Sequence, residues 1–95
     1  MASPPGSERV TVEIVNRLGL HARAAALLVQ TAGRFDADVS IVKDGQTVNG
    51  RSIMGVMMLA AEQGSRIEVA TSGPQAREAL EAIVQLVNAR FNEAE

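Results

Sequence analysis

Residues 9–28, RVTVEIVNRLGLHARAAALL, pass from the periodicity of a strand to that of a helix. Up to about Val15, apolar and polar residues alternate, which predicts a strand with one buried and one solvated face. From Ala22 the apolar residues recur at helical spacing, and Gly33 is placed to end the helix. The two patterns meet at His21, the only histidine in the chain, so we expect its side chain at a loop-to-helix junction.

The rest of the chain repeats both patterns. Two short alternating segments, one around Ile41 and one at 46–49, flank Asp44-Gly45. This dipeptide is typical of a two-residue hairpin turn, because both of its positions need a positive φ. The later predicted elements are a helix at 53–61 with Ser52 as its N-cap, a strand around Ile67 and Val69, and a long helix from Pro74 to Phe91.

The predicted element order is β-α-β-β-α-β-α. It indicates an α+β fold, a two-layer sandwich in which three helices cover one face of an antiparallel sheet and the other face is solvated. The pattern alone leaves the topology open, since a ferredoxin-like arrangement shares most of this order. Residues 1–7 are small, polar and proline-rich, so we expect a disordered tail followed by one domain at 8–92.

Composition narrows the classes of function. The chain has 95 residues, a formal net charge of -2 and almost no aromatic residues, which argues against a nucleic-acid partner. It has no cysteine and one histidine, and no carboxylate cluster stands out, so we predict neither a metal nor a cofactor. No apolar run is long enough for a membrane span, and the start MASPPGSE does not have the pattern of a secretory signal. We therefore expect a cytoplasmic protein.

The histidine junction carries the strongest chemical signal. The N–H groups of Ala22, Arg23 and Ala24 precede the first intrahelical hydrogen bond and, with the positive end of the helix dipole, form an anion site. Arg23 adds a permanent charge and a planar fork that suits phosphate oxygens. A lone histidine is more often a surface or packing residue, but a neutral imidazole beside an anion site is a competent nucleophile. We interpret His21 as a residue that accepts and donates a phosphoryl group.

Three segments resemble one known family. NRLGLHARAAALL, NGRSIMGVMMLAA and SRIEVATSGPQAREALEAIVQLV are similar to the HPr-family phosphocarriers of the bacterial phosphotransferase system. The resemblance runs from Glu8 to about Asn92 and looks closest to the nitrogen-related branch, NPr. Leu18 stands where sugar-type carriers often have a small polar residue, which favours that branch. Ala24 stands where family members often have proline, and either residue fits the first turn of a helix.

The resemblance implies a function and a fold. It implies that His21 carries the phosphoryl group on Nδ1, receiving it from Enzyme I charged by phosphoenolpyruvate and passing it to an EIIA-type protein. It implies that Arg23 steadies the phosphate and that the sheet has the order 1-4-2-3 of an HPr-like open-faced sandwich. Such a protein is a stoichiometric carrier, most simply a monomer, and not an enzyme. The alternative is a regulatory binding module of the same fold that carries no phosphoryl group.

Ser52 has two interpretations. As an N-cap it accepts a hydrogen bond from the first turn of the helix that begins at Ile53, which is worth about 1 kcal/mol. It also matches the family position that HPr kinase/phosphorylase modifies in regulated carriers. A phosphate there suits a helix N-terminus electrostatically and adds negative charge to the neighbouring surface.

The helix after Ser52 is more apolar than one buried stripe requires. If Val56, Leu59 and Ala60 face the core, other apolar side chains face outward. A short helix that is apolar all round can simply be buried. We favour a docking surface around His21, because methionines suit a surface that fits several partners in turn. Its predicted members are Leu20, Leu27, Ile53, Met54 and Met57.

Overall fold

The computed structural model describes residues 6–95 and contains four strands and three α-helices in the predicted order. Every element of the sequence prediction is present. The elements are β1 (Ser7–Glu13), α1 (Ala22–Gly33), β2 (Asp38–Lys43), β3 (Gln46–Asn49), α2 (Ile53–Met58), β4 (Arg66–Ser72), α3 (Ala76–Asn88) and a short 3-10 turn, η1 (Arg90–Asn92).

The four strands form one antiparallel sheet in the order β1-β4-β2-β3. This order confirms the HPr-like arrangement and excludes the ferredoxin-like alternative that the pattern alone left open. Alternate residues of the central strands, such as Ile41 in β2 and Val69 in β4, are fully buried in the one hydrophobic core that the helices share. The hairpin turn is as predicted, with φ of 49° at Asp44 and 80° at Gly45.

Strand β1 begins earlier than the alternation indicated. The predicted tail covers residues 1–7, of which residues 1–5 lie outside the described residues. Ser7 opens β1 and pairs with Ser72 at the far end of β4. Beyond Glu13 the chain keeps two further hydrogen bonds to the β4 side, from the Ile14 N–H to the Ser65 carbonyl and from the Gly64 N–H to the Ile14 carbonyl.

Helix α2 is shorter than predicted. It ends at Met58 and not at 61, because Ala60 adopts a left-handed conformation with φ of 50°. Ala60 is therefore exposed, which corrects its predicted place in the core, and Ala61 is buried instead. The reversal turns the Ala61 carbonyl toward the loop before His21, where it accepts a hydrogen bond from the Leu20 N–H at 2.8 Å.

Helix α3 begins two residues later than predicted. Pro74 is not its first residue, because Gln75 is held outside helical geometry by two hydrogen bonds to Asp36. The Gln75 N–H donates to the Asp36 carbonyl at 2.9 Å, and Gln75 Oε1 accepts from the Asp36 N–H at 2.7 Å. These bonds fix the connection between α1 and β2 against the start of α3.

The end of α3 also differs from the prediction. The helix stops at Asn88, and Arg90, Phe91 and Asn92 follow with three consecutive left-handed φ values of 59°, 53° and 62°. Phe91 is still fully buried, as the core stripe predicted. The left-handed turn reverses the chain direction and brings the following residue, Glu93, to the start of α1.

Gly19 fixes the loop that precedes His21. Its φ is 66°, and a Cβ atom at this position would lie 2.5 Å from the Ala61 carbonyl oxygen. Only glycine fits this close approach without moving the backbone. The loop and the end of α2 are therefore packed backbone against backbone, directly beside the histidine. In residues 6–95, the helices are too short or too polar to cross a lipid bilayer.

Replacing Gly19 tests this contact. Gly64 is the matched control, since its φ is also positive, at 89°, but open space surrounds it. We expect Gly64→Ala to lower the free energy of unfolding by about 1 kcal/mol through backbone strain alone. Gly19→Ala is expected to cost about 1–3 kcal/mol more, because the added methyl group meets the Ala61 carbonyl. Urea denaturation measures both, and equal losses in the two variants would contradict the packing argument.

Candidate functional site

His21 is the N-cap residue of α1, with an extended backbone at φ of -70° and ψ of 177°. Its carbonyl accepts the first intrahelical hydrogen bond, from the Ala25 N–H at 2.8 Å. The N–H groups of Ala22, Arg23 and Ala24 therefore precede the helical ladder, as an N-terminal turn requires. The side chain of Ala24 is fully buried, whereas Ala22 and Arg23 are exposed. The geometry of this junction agrees with what the sequence indicated.

The carboxylate of Glu93 contacts the histidine ring. Glu93 Oε2 lies 2.5 Å from His21 Nε2, and the two residues are 72 positions apart in the chain. The side chain of Glu93 is only 13% exposed. Within residues 6–95, no hydrogen-bond partner contacts the other ring nitrogen, Nδ1. The predicted domain ended at residue 92 and the prediction assigned no role to Glu93, because no local pattern connects two segments so far apart.

Arg23 shares the same carboxylate oxygen. Its guanidinium donates to Glu93 Oε2 at 3.2 Å and to the Phe91 carbonyl at 2.9 Å. A cation in the first turn of a helix is unfavourable unless an anion is near, which is why the sequence predicted an anion here. In this structure the anion is a side chain of the protein itself. About half of the Arg23 side chain is exposed, so its guanidinium can also reach solvent.

Asn16 completes the group. It is fully buried, and its Nδ2 donates to the Gly19 carbonyl at 2.9 Å and to Glu93 Oε1 at 3.0 Å. One amide therefore fixes the loop before His21 and the carboxylate that contacts its ring. The sequence predicted no role for Asn16, although an asparagine three residues before a glycine is typical of a turn that the asparagine side chain stabilises.

The environment of Glu93 favours its ionised form. Partial burial raises the pKa of Glu93, but the hydrogen bonds from His21 and Asn16 and the positive charges of protonated His21 and Arg23 outweigh this effect. The pKa of Glu93 is therefore lower than its ordinary value of 4.5. Near neutral pH the histidine ring thus faces a carboxylate, and not a neutral acid.

Of the two interpretations of Ser52, the structure confirms the N-cap. Ser52 is the N-cap of α2, and its Oγ accepts a hydrogen bond from the Gly55 N–H at 3.1 Å. Ser65 makes a similar contact elsewhere, since its Oγ accepts from the Glu62 N–H at 3.0 Å. The hydroxyl of Ser52 is partly buried beside the exposed face of α2.

The exposed face of α2 differs in part from the predicted docking surface. Leu20 does not belong to it, because this side chain is only 5% exposed and packs in the core while its N–H is held by Ala61. Leu27 is partly buried against the same core. Leu18 and Met58, which the prediction did not include, are also exposed. The exposed large apolar residues in the described part of the chain are Leu18 at 64%, Ile53 at 40%, Met54 at 69%, Met57 at 41% and Met58 at 65%.

Comparison with known proteins connects this site to a class of proteins. The sequence model of the family described as PTS HPr component phosphorylation site matches residues 8–89. The chain is 48% identical over 85 residues to the phosphocarrier protein HPr of Neisseria meningitidis serogroup A, which covers 90% of this chain and 96% of that protein. It is 50% identical over 82 residues to the HPr of Cupriavidus necator, with coverages of 86% and 92%.

Solved structures give the same result for the fold. The crystal structure of HPr-C-His from Thermoanaerobacter tengcongensis superposes with a TM-score of 0.90 at 43% sequence identity, covering 93% of this chain and 99% of that one. A second structure from that organism is of an HPr dimer, with a TM-score of 0.74. The fold and the relatives together define a phosphocarrier of the phosphotransferase system, which carries its group stoichiometrically and is not an enzyme.

The chain belongs to the HPr family. Membership of this family implies Enzyme I and an EIIA-type protein as its partners. The alternative of a regulatory module without carrier activity is not favoured, because the curated relatives are named as phosphocarrier proteins.

The lowered pKa of Glu93 predicts how stability depends on pH. Because this pKa is lower in the folded than in the unfolded chain, the stabilisation from Glu93 is complete above pH 4.5 and is lost as the pH falls through the folded value. We expect Glu93→Gln to remove this part of the acid destabilisation. Urea unfolding measured at several pH values from about 6 down to about 3 follows it.

Glu95→Gln is the control for this measurement. Glu95 is exposed and pairs only with the exposed Arg17, at 2.9 Å. A surface pair of this kind contributes little to stability, so the variant is expected to keep the acid dependence of the parent protein. If Glu93→Gln and Glu95→Gln flatten the profile equally, the special environment of Glu93 is refuted.

Proposed function

We propose that His21 is the residue that carries the phosphoryl group, on its Nδ1 atom. The observation that carries this proposal is the contact of His21 Nε2 with Glu93 Oε2, which occupies one ring nitrogen and leaves the other for the reaction. Arg23 donates to the same carboxylate, which keeps a cation near the ring. Nδ1 has no hydrogen-bond partner among the described residues and is the nitrogen left for the reaction. The ring is partly exposed, as transfer between proteins requires.

The surroundings of His21 suit reversible binding of an anionic group. The N–H groups of Ala22, Arg23 and Ala24 present the positive end of α1, and the guanidinium of Arg23 supplies a full charge. In the reaction the Nδ1 lone pair attacks phosphorus, and the bond from phosphorus to the donor breaks with its electron pair returning to the donor. The guanidinium of Arg23 can then pair either with Glu93 or with the phosphoryl group. Because its side chain is half exposed, it is free to move to the phosphoryl group.

We further propose the exposed face of α2 as the docking surface for both partners. The exposed apolar residues of this surface are Leu18, Ile53, Met54, Met57 and Met58. Three of them are methionines, whose flexible side chains adapt to different partners. Leu18 and the residues that follow α2, 60–63, line one cleft together with His21. Leu27 contributes only its exposed part. Such a surface lets Enzyme I and the EIIA-type protein use the same face of the carrier in turn.

The finer identity of the carrier is also a proposal. We propose that it works in the cytoplasm, as a monomer, and in the nitrogen-related branch. The sequence NRLGLHARAA and the apolar Leu18 support the branch, because Leu18 offers no polar contact to a phosphate. Transfer from the phosphorylated carrier to a nitrogen-type or to a sugar-type EIIA protein distinguishes the two branches.

Regulation through Ser52 is supported by its position. The hydroxyl lies at the start of α2, next to the exposed Ile53 and Met54. A phosphate on this oxygen replaces a neutral acceptor by a dianion at the edge of the proposed docking surface. We propose that HPr kinase/phosphorylase, or an enzyme of that type, modifies Ser52 and thereby weakens docking.

Phosphorylation with Enzyme I tests the carrier site. The protein is incubated with phosphoenolpyruvate and Enzyme I, and a phosphorus NMR spectrum is recorded. We expect an acid-labile phosphoramidate signal that is absent from His21→Ala. Arg23→Ala is expected to slow phosphorylation by about tenfold to a hundredfold, the usual loss when a hydrogen bond to a charged group is removed.

Arg17→Ala is the matched control for Arg23→Ala. Arg17 lies in the loop before His21 but makes its ion pair with Glu95 and no hydrogen bond with the ring or with Glu93. Its removal is expected to change the rate by less than about threefold, since exposed ion pairs are worth at most about 1 kcal/mol. A phosphoramidate signal that persists in His21→Ala would remove the basis of the proposal.

Regulation at Ser52 has a test of its own. Incubation with an HPr kinase and ATP is expected to label the parent protein and not Ser52→Ala. Ser65→Ala is the control, because Ser65 also accepts a backbone N–H through its hydroxyl but lies in the turn before β4. Its labelling is expected to equal that of the parent. Label retained in Ser52→Ala assigns the modification to another residue and ends this part of the proposal.

A further inference from the structure

We propose that Glu93 is a positioning residue for phosphoryl transfer: it holds the proton of the His21 ring on Nε2 and so keeps the lone pair on Nδ1. The inference rests on the proposed role of His21. It extends that role, because it explains why one ring nitrogen reacts and the other does not. It also gives a function to a residue in which no sequence pattern indicated one.

The hydrogen bonds around Glu93 determine which nitrogen of the His21 ring carries the proton. An ionised carboxylate only accepts hydrogen bonds. Glu93 Oε1 accepts from Asn16 Nδ2 at 3.0 Å, and Oε2 accepts from Arg23 at 3.2 Å. The remaining close contact of Oε2, with His21 Nε2 at 2.5 Å, therefore needs a proton on Nε2. A neutral imidazole has one N–H group, so Nδ1 carries the lone pair.

The carboxylate is held firmly enough to impose this choice. Asn16 is fully buried and fixes Glu93 through one N–H while its other N–H holds the Gly19 carbonyl. Phe91, two residues before Glu93, is fully buried and anchors the chain on the other side. Carboxylates that accept a hydrogen bond from a histidine set its tautomer and ring orientation in the same way at metal sites.

The proton on Nε2 need not move at any step. When His21 accepts the group, the Nδ1 lone pair forms the N–P bond, and the donor's bond to phosphorus breaks with its pair returning to the donor. The ring is then positively charged, and its Nε2–H faces the carboxylate of Glu93 as an ion pair. When His21 donates the group, the N–P electron pair returns to Nδ1. The neutral ring is regenerated with its proton still on Nε2.

Arg23 and Glu93 therefore have separable roles. Glu93 stays with Nε2 and Asn16, while Arg23 has a half-exposed side chain that can leave the shared oxygen. The carboxylate contacts Nε2, whereas the phosphoryl group binds Nδ1, so the ring stands between the two anions. Glu93 thus stabilises the charged ring without competing for the phosphoryl position.

The tautomer of His21 is the decisive measurement. Long-range proton–nitrogen NMR spectra of the unphosphorylated, nitrogen-15-labelled protein are recorded at a pH where the ring is neutral. We expect the Nε2–H tautomer alone in the parent protein and a mixture of both tautomers in Glu93→Ala. Glu93→Gln is expected to give a mixture as well. The carboxylate of Glu93 faces hydrogen-bond donors at both of its oxygens, whereas the amide of glutamine has only one acceptor oxygen and therefore cannot accept from all of them.

Two controls accompany the tautomer spectra. Glu95→Ala removes a nearby carboxylate that contacts Arg17 and not the ring, so the Nε2–H tautomer is expected to remain alone. The backbone amide spectrum of β4 shows whether each variant keeps the fold. In the phosphorylation assay, loss of a group that orients a reacting histidine is expected to slow transfer about tenfold in Glu93→Gln.

Each outcome separates the two proposals. An Nδ1–H tautomer in the parent protein, or a pure Nε2–H tautomer in folded Glu93→Ala, overturns the role of Glu93, even if Enzyme I labels His21. A tautomer that depends on Glu93 in a protein whose His21 takes no phosphoryl group overturns the carrier site and, with it, the role of Glu93 in transfer. Tautomer dependence together with labelling of His21 supports both.

Discussion

One carboxylate joins the parts of this structure that its function needs. Glu93 accepts hydrogen bonds from Asn16 in the loop after β1, and from Arg23 in the first turn of α1. The same carboxylate contacts His21, the N-cap residue between them. These groups lie in consecutive structural units, and the carboxylate sets their mutual distances. Without it, Arg23 would be an unpaired cation at the positive end of a helix, and a buried amide would lose an acceptor.

The contact between Glu93 and His21 depends on an unfavourable backbone conformation in η1. A left-handed residue other than glycine costs about 1–2 kcal/mol, and η1 has three of them in succession. Complete burial of Phe91 returns about 1.5–3 kcal/mol, which is less than that sum. The contacts of the reversed segment with α1, including the hydrogen bond from Arg23 to the Phe91 carbonyl, supply part of the difference. The turn is therefore stable because of what it brings together, and not because of its own residues.

This energetic balance explains what the sequence predicted and what it did not. Local periodicity located every strand and helix, and the junction at His21 followed from one helix start. Where the prediction was wrong, a contact between distant segments determined the local structure. Asp36 holds Gln75 outside α3, and the end of α2 reverses so that the Ala61 carbonyl accepts from the Leu20 N–H. The turn η1 brings Glu93 to His21. Arg23 did carry a signal, since its place in the helix predicted an anion. It did not reveal that the anion comes from the same chain.

The pairing of residues so far apart in sequence has a consequence for the order of folding. Strands β1 and β4 are neighbours in the sheet although most of the chain lies between them, and the contact from His21 to Glu93 closes a loop of similar length. Loops of this size form late, because their closure entropy must be offset by contacts already made. We therefore expect the histidine environment to be among the last parts to become native. Once formed, this environment can open locally only if the fully buried Phe91 leaves the core, which ties the geometry of the histidine to the stability of the whole domain.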